Sequence, residues 1–336
     1  MSQKIASSGW RYARSGPIAT VLRQEAFDVV PAKGEAVVRM VAAPLHRTDA
    51  AVINGTALGR KRVDAAAFPR VGGCEGVGQV VATGGAAHLK EGDTVWVAPL
   101  QGTWATTIAA DPQRLHRIDA KHAGLAVHAS TFLMAQQLLQ GYARLRKGQV
   151  VLQNGGSSAT ALAVSALAQP QQLRVLTVAA PGPRFEAAKA RHAAYQSPVF
   201  TYDGKGAREV AAAMGKEGRA ALYLNGVGGD YFDHFLKLMA PTAHVVSYGA
   251  QNGFGLFVSG SNLIYNELTL EGFFLPTYLR SLTHGQRQTQ LDFVLQQLAD
   301  AKFTYPTTTA AGLGKLPDVW DDVFVKGGSK GIVKIQ

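Results

Sequence analysis

Cysteine is almost absent from this chain. Cys74 is the only one in 336 residues, which excludes an internal disulfide and a cysteine-rich structural zinc lobe. Long hydrophobic runs are also missing, because no apolar stretch approaches the roughly 20 residues that cross a bilayer. The sequence therefore predicts a protein without a membrane span that suits a reducing compartment.

Acidic residues are in the minority, and the basic residues are scattered. Lys and Arg total 34 against 23 Asp and Glu, a net charge of +11. No basic stripe is interleaved with stacking aromatic residues, so we expect no nucleic-acid binding. A basic surface suits a polyanionic substrate such as a nucleotide or a phosphopantetheine thioester. The one tight triplet, Arg60-Lys61-Arg62, has two interpretations: it grips such phosphates, or it is a solvated loop.

The first 24 residues contain no acid and carry four basic residues among Ser and Ala. Mitochondrial transit peptides have this composition. The same region also predicts a first strand and a turn at Gly16-Pro17. We expect a mitochondrial location, with the cytoplasm as the alternative.

The chain is long enough for two domains. Its first third predicts short strands at 35–41, 76–84, 93–99 and 102–109, separated by Gly and Pro. From about residue 124, helices and strands alternate, as in a doubly wound parallel sheet. The predicted helices are 125–145, 185–195, 231–239 and about 284–300, and the predicted strands are 174–179, 220–225, 244–248, 268–275 and 331–335. We expect the last strand to return to the β-rich domain.

The segment from Val150 to Val164 is the most informative part of the chain. Apolar residues lead into Asn154-Gly155-Gly156-Ser157-Ser158, and an Ala/Leu/Val-rich stretch follows, which predicts a strand, a tight turn and a helix. Such a turn presents the first backbone N–H groups of a helix to a phosphate, and small residues let a pyrophosphate approach them. The full G-x-G-x-x-G is absent, since Ala159 and Ala161 replace glycines. An ordinary helix start is the alternative.

Several short motifs occur in a fixed order along the chain. They are His46-Arg47-Thr48-Asp49 with Asn54-Gly55, Val71-Gly72-Gly73-Cys74-Glu75-Gly76-Val77-Gly78, Gly102-Thr103-Trp104, Gln153-Asn154, Asn225 with Val227-Gly228-Gly229, Tyr248-Gly249 and Gly272-Phe273-Phe274-Leu275. This set resembles the medium-chain dehydrogenase/reductase superfamily, and within it the zinc-free 2-enoyl thioester reductases of mitochondrial fatty-acid synthesis.

The resemblance implies an α/β protein with a GroES-like β-barrel-type catalytic domain and a Rossmann cofactor domain. We place the first at 1–123 and 276–336 and the second at 124–275. The implied reaction is NADPH-dependent reduction of the C=C bond of a trans-2-enoyl thioester of coenzyme A or acyl carrier protein. The implied assembly is a homodimer, joined through the segment 256–270.

The resemblance also implies a set of cofactor-binding residues. They are Thr131, Asn154, Ser157, Ser158, Ala159, Thr160, Tyr248, Gly249, Ala250, Gln251, Phe273, Phe274, Leu275 and Lys330. For Phe273, Phe274 and Leu275, a place in the hydrophobic core is the alternative.

The chain departs from the family at the site for the 2′-phosphate of NADPH. Members that select NADPH carry Arg-Asp-Arg after the second strand of the sheet, where this chain has Ala179-Ala180-Pro181. Arg184 follows closely, and Lys189 and Arg191 lie on the next predicted helix. A guanidinium suits a phosphate, so Arg184 is the candidate for this role.

A second departure concerns the proton donor. Ala57 stands where the family has a Tyr, and alanine cannot donate a proton. The neighbouring Thr56 has a hydroxyl that could at most orient a water molecule. This loss leaves two alternatives open beside the enoyl reductase: an NAD(P)H-dependent quinone reductase, and a non-catalytic relative that acts as a binding component.

The family's zinc-dependent branch binds a catalytic ion through three strong ligands. The matching places here hold His46, Cys74 and Ser130, so a third strong ligand is missing. We therefore expect no metal.

Overall fold

The structure is a computed structural model that describes residues 4–55, 68–216, 218–250, 255–325 and 330–336. It divides into two compact units. Unit 1 comprises Met1–Ser130, Leu282–Ala299 and Thr304–Gln336, and unit 2 comprises Thr131–Ser281 and Asp300–Phe303. None of the described helices is long and apolar enough to cross a membrane.

Unit 1 is rich in β-structure. Its strands are β1 (Ile5–Tyr12), β2 (Arg23–Val29), β3 (Ala36–Leu45), β4 (Arg70–Val71), β5 (Gly76–Ala82), β6 (Thr94–Val97), β7 (Thr107–Ala110), β8 (Leu115–Arg117), β15 (Thr307–Ala311) and β16 (Lys330–Lys334). Its helices are α1 (Ile18–Val21), α2 (Arg47–Ile53), α3 (Ala123–Ala126), most of α11 (His284–Asp300) and α12 (Leu316–Trp320). Short 3-10 turns lie at Pro112–Arg114, Ala120–His122 and Leu313–Lys315, and a π-helical turn lies at Asp321–Val325.

Strand β3 organises unit 1. It pairs antiparallel with β5, β7 and β16, in a sheet of order β15-β16-β3-β5-β6-β8, while β2-β1-β4 form a second sheet. Because β16 pairs with β3, the end of the chain returns to the β-rich unit, as the sequence predicted. Alternating residues of β3, including Val38 and Met40, are fully buried in the core.

The prediction of a strand at 102–109 is wrong for the first half of that range. Gly102 has a positive φ of 74°, which ends any extended run there. Trp104 is fully buried, and its backbone bonds Gly72 and Trp10. Strand β7 therefore begins only at Thr107.

Unit 2 alternates helices and strands. Its helices are α4 (Ala129–Gln140), which starts two residues before the boundary, α5 (Ala159–Ala168), α6 (Phe185–Ala193), α7 (Gly204–Met214), α8 (Phe232–Leu236), α9 (Gly260–Asn266) and α10 (Leu275–Ser281). Its strands are β9 (Val150–Gln153), β10 (Arg174–Ala179), β11 (Val199–Thr201), β12 (Ala220–Asn225), β13 (Met239–Ser247) and β14 (Thr269–Gly272).

The six strands of unit 2 form one parallel sheet of order β11-β10-β9-β12-β13-β14. Counted within the unit, this is the order 3-2-1-4-5-6 of a doubly wound dinucleotide-binding sheet. Strands β9 and β12 are almost entirely buried, which explains why their sequences are apolar rather than alternating. The predicted fold class is confirmed.

Several predicted boundaries in unit 2 are wrong. The helix expected at 125–145 is two helices, α3 and α4, and ends at Gln140. The helix expected at 231–239 ends at Leu236, because Met239 already pairs with Ala220 in the sheet. The strand expected at 268–275 ends at Gly272, and Leu275 begins α10.

Candidate functional site

The carboxyl ends of β9 and β12 mark the switch point of the sheet in unit 2. From β9 the chain continues to β10 and β11 on one side of β9, whereas β12 lies on the other side of β9. In such sheets a crevice opens at this point, and ligands bind there. The turn 154–158 follows β9 directly, so the sequence-predicted phosphate turn lies at the switch point.

Two glycines shape this turn. Gly155 has a positive φ of 70°, a conformation that side chains disfavour. Gly156 lies tight against β10: its N–H donates to Val178 O at 3.0 Å, and an added Cβ would be 2.6 Å from Thr177 Cγ2. Any larger residue at 156 would push the turn away from the sheet.

Helix α5 begins at the end of this turn. Ser158 is its N-cap, and the Ser158 hydroxyl accepts a hydrogen bond from Ala161 N at 3.1 Å. Ala159 and Thr160 occupy the first two helical positions, whose N–H groups have no partner within an α-helix. Ser157 and Ser158 are half-buried, so the turn remains accessible. The local geometry suits an anion.

The Asn154 side chain is used within the protein. It is fully buried, its Nδ2 donates to Tyr223 Oη at 3.0 Å and to Asn225 Oδ1 at 2.7 Å, and its Oδ1 accepts from Gly226 N at 2.6 Å. These bonds join the carboxyl ends of β9 and β12. The role of Asn154 in cofactor binding stays a prediction, and its observed role is to fix the rim of the crevice.

A buried histidine supports the turn from behind. His192 Nε2 lies 2.8 Å from Gly156 O, and its Nδ1 lies 2.9 Å from Ser165 Oγ. Burial lowers the pKa of His192 to about 4, so the ring is neutral at pH 7. It then donates from Nε2 to the carbonyl and accepts the Ser165 hydroxyl at Nδ1. Sequence reasoning missed this residue, because a lone histidine on a predicted helix gives no sign of what it contacts.

Tyr248 and Gly249 follow β13 at the same edge of the sheet. The Tyr248 ring lies so close to Gly226 that an added Cβ there would be 2.8 Å from the phenol oxygen. Burial raises the pKa of Tyr248, and a side-chain hydrogen bond with Ser158 partly opposes this shift. Tyr248 therefore reaches the phosphate turn and forms one wall beside it. Ala250 is exposed, and Gln251 lies outside the described residues.

The remaining predicted residues of unit 2 differ in their surroundings. Phe273 follows β14 and packs edge-on against Tyr142, with ring centroids 6.3 Å apart. Phe274 is 44% exposed, whereas Leu275 is buried, and the roles of both in cofactor binding stay predictions. Thr131 is buried in α4.

Arg184 lies at the carboxyl end of β10. It is the N-cap residue of α6 and is exposed. The structure thus brings the start of α6, the phosphate turn and Tyr248 to one edge of the sheet. Thr56, Ala57 and the triplet Arg60-Lys61-Arg62 lie outside the described residues.

Unit 1 contains a buried carboxylate, Glu75. Glu75 is completely buried and accepts hydrogen bonds from Trp96 Nε1 at 2.8 Å and from Ser130 N at 3.0 Å. Its Oε1 lies 2.6 Å from His46 Nε2. Burial raises the pKa of Glu75, but the bonds to His46 and Ser130 outweigh it, and the net shift is downward. Glu75 is therefore ionised at neutral pH.

His46 connects this carboxylate to Lys330. Lys330 Nζ lies 2.7 Å from His46 Nδ1, on the side of the ring opposite Glu75. Burial lowers the pKa of Lys330 to about 8, although Glu75 and Asp49 oppose the shift. Lys330 thus belongs to unit 1, and its role in cofactor binding stays a prediction.

Local structure fixes His46 in this position. β3 ends at Leu45, and His46 is the N-cap residue of α2, where its backbone N–H donates to Asp49 Oδ2 at 2.6 Å. Asp49 Oδ1 also accepts from Cys74 N at 2.7 Å, which ties α2 to the segment that carries Glu75.

The three places that match zinc ligands are occupied by other interactions. His46 uses both ring nitrogens, and the Ser130 backbone bonds Glu75. Burial raises the pKa of the Cys74 thiol well above its ordinary value, with Asp49 adding to the shift. Within the described part of the chain, no group of three or more His, Cys, Asp or Glu residues is arranged to hold a metal ion.

Comparison with known proteins gives the family. The alcohol dehydrogenase GroES-like domain family matches residues 32–154. A mitochondrial enoyl-acyl-carrier-protein reductase from Bos taurus is 30% identical over 292 residues, which cover 82% of this chain and 74% of the relative. This identity over most of both chains is sufficient to assign the family.

Solved structures give the fold. Etr1p, solved in complex with NADP and crotonyl-CoA, has a TM-score of 0.84 at 21% identity, covering 98% of this chain and 100% of its own. The same reductase, from Candida tropicalis, is also solved as a heterodimer with Etr2p. A mycobacterial quinone oxidoreductase has a TM-score of 0.82 at 18% identity, covering 98% and 99% of the two chains. The chain belongs to the enoyl thioester reductase branch of the medium-chain dehydrogenase/reductase superfamily.

Proposed function

We propose that this protein is a zinc-independent reductase that uses NADPH to reduce the C=C bond of a trans-2-enoyl thioester. The observation that carries the proposal is the glycine turn at the switch point of the sheet, joined to helix α5. The name and identity of the Bos taurus relative support the choice of substrate.

The residues of unit 2 fit a dinucleotide. Gly155 and Gly156 hold a turn without side chains, and the N–H groups of Ala159 and Thr160 begin a ten-residue helix. When bound, NADPH supplies the hydride that adds to the β-carbon of the substrate. The protein holds the diphosphate at the turn and fixes the turn itself through His192 and Val178. Its contribution is binding and orientation.

The substrate carries phosphates of its own. Both a coenzyme A thioester and an acyl carrier protein thioester present a phosphopantetheine arm, and the net charge of +11 attracts polyanions. We therefore propose that the protein accepts either carrier.

The function is tested by following NADPH oxidation with crotonyl-CoA, with the crotonyl thioester of acyl carrier protein and with a small quinone. We expect turnover of the thioesters. Turnover with the quinone alone would reject the enoyl substrate and favour the quinone reductase, for which Ala57 at the place of the family Tyr is the supporting observation.

A non-catalytic relative is tested by ligand stabilisation. A ligand that binds the native state raises its unfolding temperature as its concentration rises. We expect NADPH to do so, whereas no shift with either NADPH or NADH would favour a binding component without catalysis.

Arg184→Ala is expected to weaken NADPH binding roughly tenfold, since an exposed charge-assisted contact with a phosphate contributes about 1.5 kcal/mol. NADH lacks the 2′-phosphate, so its affinity should not change. Titrations of both cofactors against Arg184→Ala and against Arg174→Ala, an exposed arginine at the opposite end of β10, measure the effect. Equal NADPH affinity in wild type and Arg184→Ala would remove Arg184 from this role.

We also propose that the protein is a homodimer joined at the β14 edge of the sheet. Five large apolar residues of the segment 256–270 are exposed, namely Leu256, Phe257, Ile264 at 71%, Tyr265 at 82% and Leu270. An exposed apolar patch beside an edge strand is typical of an interface.

Tyr265→Glu is expected to convert the dimer to a monomer in sedimentation velocity, because it places a charge in the apolar contact. Val30→Glu is the control, since Val30 is an exposed apolar residue of unit 1. A wild-type monomer, or a Tyr265→Glu variant that stays dimeric, would contradict this interface.

We also propose that the protein is located in mitochondria, with the cytoplasm as the alternative. The relatives are named mitochondrial, and the first 24 residues contain no acid. Microscopy of a C-terminal fluorescent fusion would test it, and a diffuse cytoplasmic signal would contradict it.

A further inference from the structure

We propose that His192 is the positioning residue that prepares the phosphate turn for NADPH, because it keeps the Gly156 carbonyl turned into the protein and away from the diphosphate. The inference rests on the proposed function and deepens it, since it names a residue outside the turn that sets the affinity of the turn. The evidence is a directed chain of buried hydrogen bonds within unit 2 that ends on this carbonyl.

The peptide between Gly156 and Ser157 needs a fixed orientation. Gly155 has a positive φ and neither glycine has a side chain, so rotation of the backbone meets little steric resistance here. A carbonyl oxygen carries partial negative charge, so a peptide that turned this oxygen outward would repel a diphosphate. His192 is fully buried and its Nε2 lies 2.8 Å from Gly156 O, which turns the carbonyl inward.

The two anchors of Gly156 act on different peptides. The bond from Gly156 N to Val178 O, at 3.0 Å, fixes the peptide that precedes Gly156. The bond from His192 fixes the peptide that follows it. A strand carbonyl such as Val178 O only accepts, so it cannot hold the carbonyl of Gly156. The donor on α6 is therefore the anchor of the second peptide.

The position of the proton on the His192 ring is set from its other side. Gln153 Nε2 lies 3.1 Å from Ser165 Oγ, and an amide N–H only donates, so the Ser165 oxygen accepts there. The Ser165 O–H then donates to His192 Nδ1 across 2.9 Å. Nδ1 is thus the acceptor of the ring, and the single ring proton lies on Nε2, where it donates to Gly156 O.

The Gln153 amide is itself fixed in orientation. Its Nε2 lies 2.9 Å from Ala161 O, and this carbonyl only accepts, so the nitrogen rather than the oxygen faces it. Nε2 also lies 2.8 Å from Thr177 Oγ1. Gln153, Ser165 and His192 are each at most 1% exposed, so water does not compete for these bonds. The direction of the chain therefore follows from the protein alone.

The electrostatic surroundings keep the His192 ring neutral. Burial lowers its pKa to about 4 and the charge of Arg191 adds to this shift, while the bond to Gly156 opposes it. Near neutral pH the ring therefore has one donor and one acceptor, which is the arrangement that the chain requires.

A turn that already has its binding conformation needs no rearrangement when the cofactor arrives. The apparent dissociation constant rises in proportion as the fraction of protein in this conformation falls. Without the His192 bond the peptide after Gly156 is free to rotate, so this fraction should fall. NADPH and NADH share the diphosphate, so both should lose affinity equally, whereas Arg184→Ala should affect NADPH alone.

The test compares two amide variants that differ by one methylene group, His192→Asn and His192→Gln. Asparagine reaches Ser165 but is too short to reach Gly156 O, so we expect the affinity for both cofactors to fall roughly tenfold, as for the loss of one buried hydrogen bond. Glutamine brings an amide N–H to the carbonyl and should restore most of the affinity. Isothermal titration calorimetry with NADPH and with NADH measures both.

Ser197→Ala is the matched control. It removes a buried hydrogen bond of the same unit, between Ser197 Oγ and Thr177 Oγ1 at 2.9 Å. Its stability should fall, but its affinity for both cofactors should equal that of the wild type. Circular dichroism shows which variants fold. His192→Phe, which fills the volume without a donor, replaces His192→Asn if the latter does not fold.

Steady-state kinetics provides a readout that a general loss of stability would not move. The turn contacts the diphosphate and not the reacting atoms, so His192→Asn should raise the KM for NADPH roughly tenfold and leave kcat with crotonyl-CoA unchanged at saturating NADPH. NMR of isotope-labelled histidine in the cofactor-free wild type should place the His192 proton on Nε2. A proton on Nδ1 would overturn the proposed direction of the chain.

The outcomes separate the two proposals. A wild-type protein that binds neither NADPH nor NADH contradicts the proposed function. If the wild type binds both, a folded His192→Asn or His192→Phe protein with unchanged affinities overturns the role of His192 alone. A loss of affinity for NADPH but not for NADH also overturns it, because the 2′-phosphate and not the turn would then depend on His192.

Discussion

Gly156→Val is expected to weaken NADPH binding by roughly 100-fold to 10,000-fold. An added Cβ would already be 2.6 Å from Thr177 Cγ2 and 3.2 Å from Val178 O, and valine adds two methyl groups. The turn must then move off β10, which displaces the N–H groups that face the diphosphate. Losing two charge-assisted hydrogen bonds costs about 1.5–3 kcal/mol each, which gives this range. Isothermal titration calorimetry with NADPH measures it.

Gly260→Ala is the matched control for this variant. Gly260 begins α9 in the same unit, and no atom lies within 4 Å of its added Cβ. It should bind NADPH as the wild type does. Circular dichroism shows whether Gly156→Val keeps its secondary structure. A folded Gly156→Val protein with wild-type affinity would show that the turn does not bind the cofactor, and the proposed function would lose its main support.

Glu75→Leu is expected to lower the free energy of unfolding of unit 1 by roughly 3–5 kcal/mol, because it leaves three donors of a buried hydrogen-bond network without their acceptor, at about 1–3 kcal/mol each. The Trp96 indole and the Ser130 N–H would lose their acceptor inside the core, and the His46 ring would lose its carboxylate. Leucine fills the volume but accepts no hydrogen bond, so the donors stay unsatisfied.

The tryptophans make this effect measurable in one unit. All four, Trp10, Trp96, Trp104 and Trp320, belong to unit 1, so their fluorescence during urea unfolding reports on that unit. Glu75→Gln is the control, because it retains an acceptor oxygen and nearly the same shape, and its loss should be smaller. Equal midpoints for Glu75→Leu and wild type would contradict the importance of this carboxylate.

The same carboxylate predicts a pH dependence of stability. The pKa of Glu75 is lower in the folded protein than its ordinary value of 4.5. Its ionised form therefore stabilises the fold fully above pH 4.5, and this contribution is lost as pH falls through the lower, folded-state pKa. The gap in unfolding free energy between wild type and Glu75→Gln should shrink over that interval. A gap that stays constant or widens there would contradict the direction of the shift.

The sequence by itself determined the fold class and the place of the phosphate turn. An apolar run that ends at small residues indicates a buried parallel strand, because such a strand is covered on both faces. Gly155 and Gly156 indicate a tight turn, and this signal is also local. The positive φ of Gly155 disfavours a side chain, and the close contact of Gly156 with β10 leaves no room for one.

Only the tertiary structure decided which polar groups meet. His46 and Lys330 are 284 residues apart, and His192 reaches the Gly156 carbonyl from another helix 36 residues away. Neither contact leaves a periodic or compositional mark, because a single polar side chain has the same local pattern whether it faces solvent or a buried partner. Strand register brings such groups within hydrogen-bond distance, and burial then lowers the pKa of His192 to about 4 and that of Lys330 to about 8.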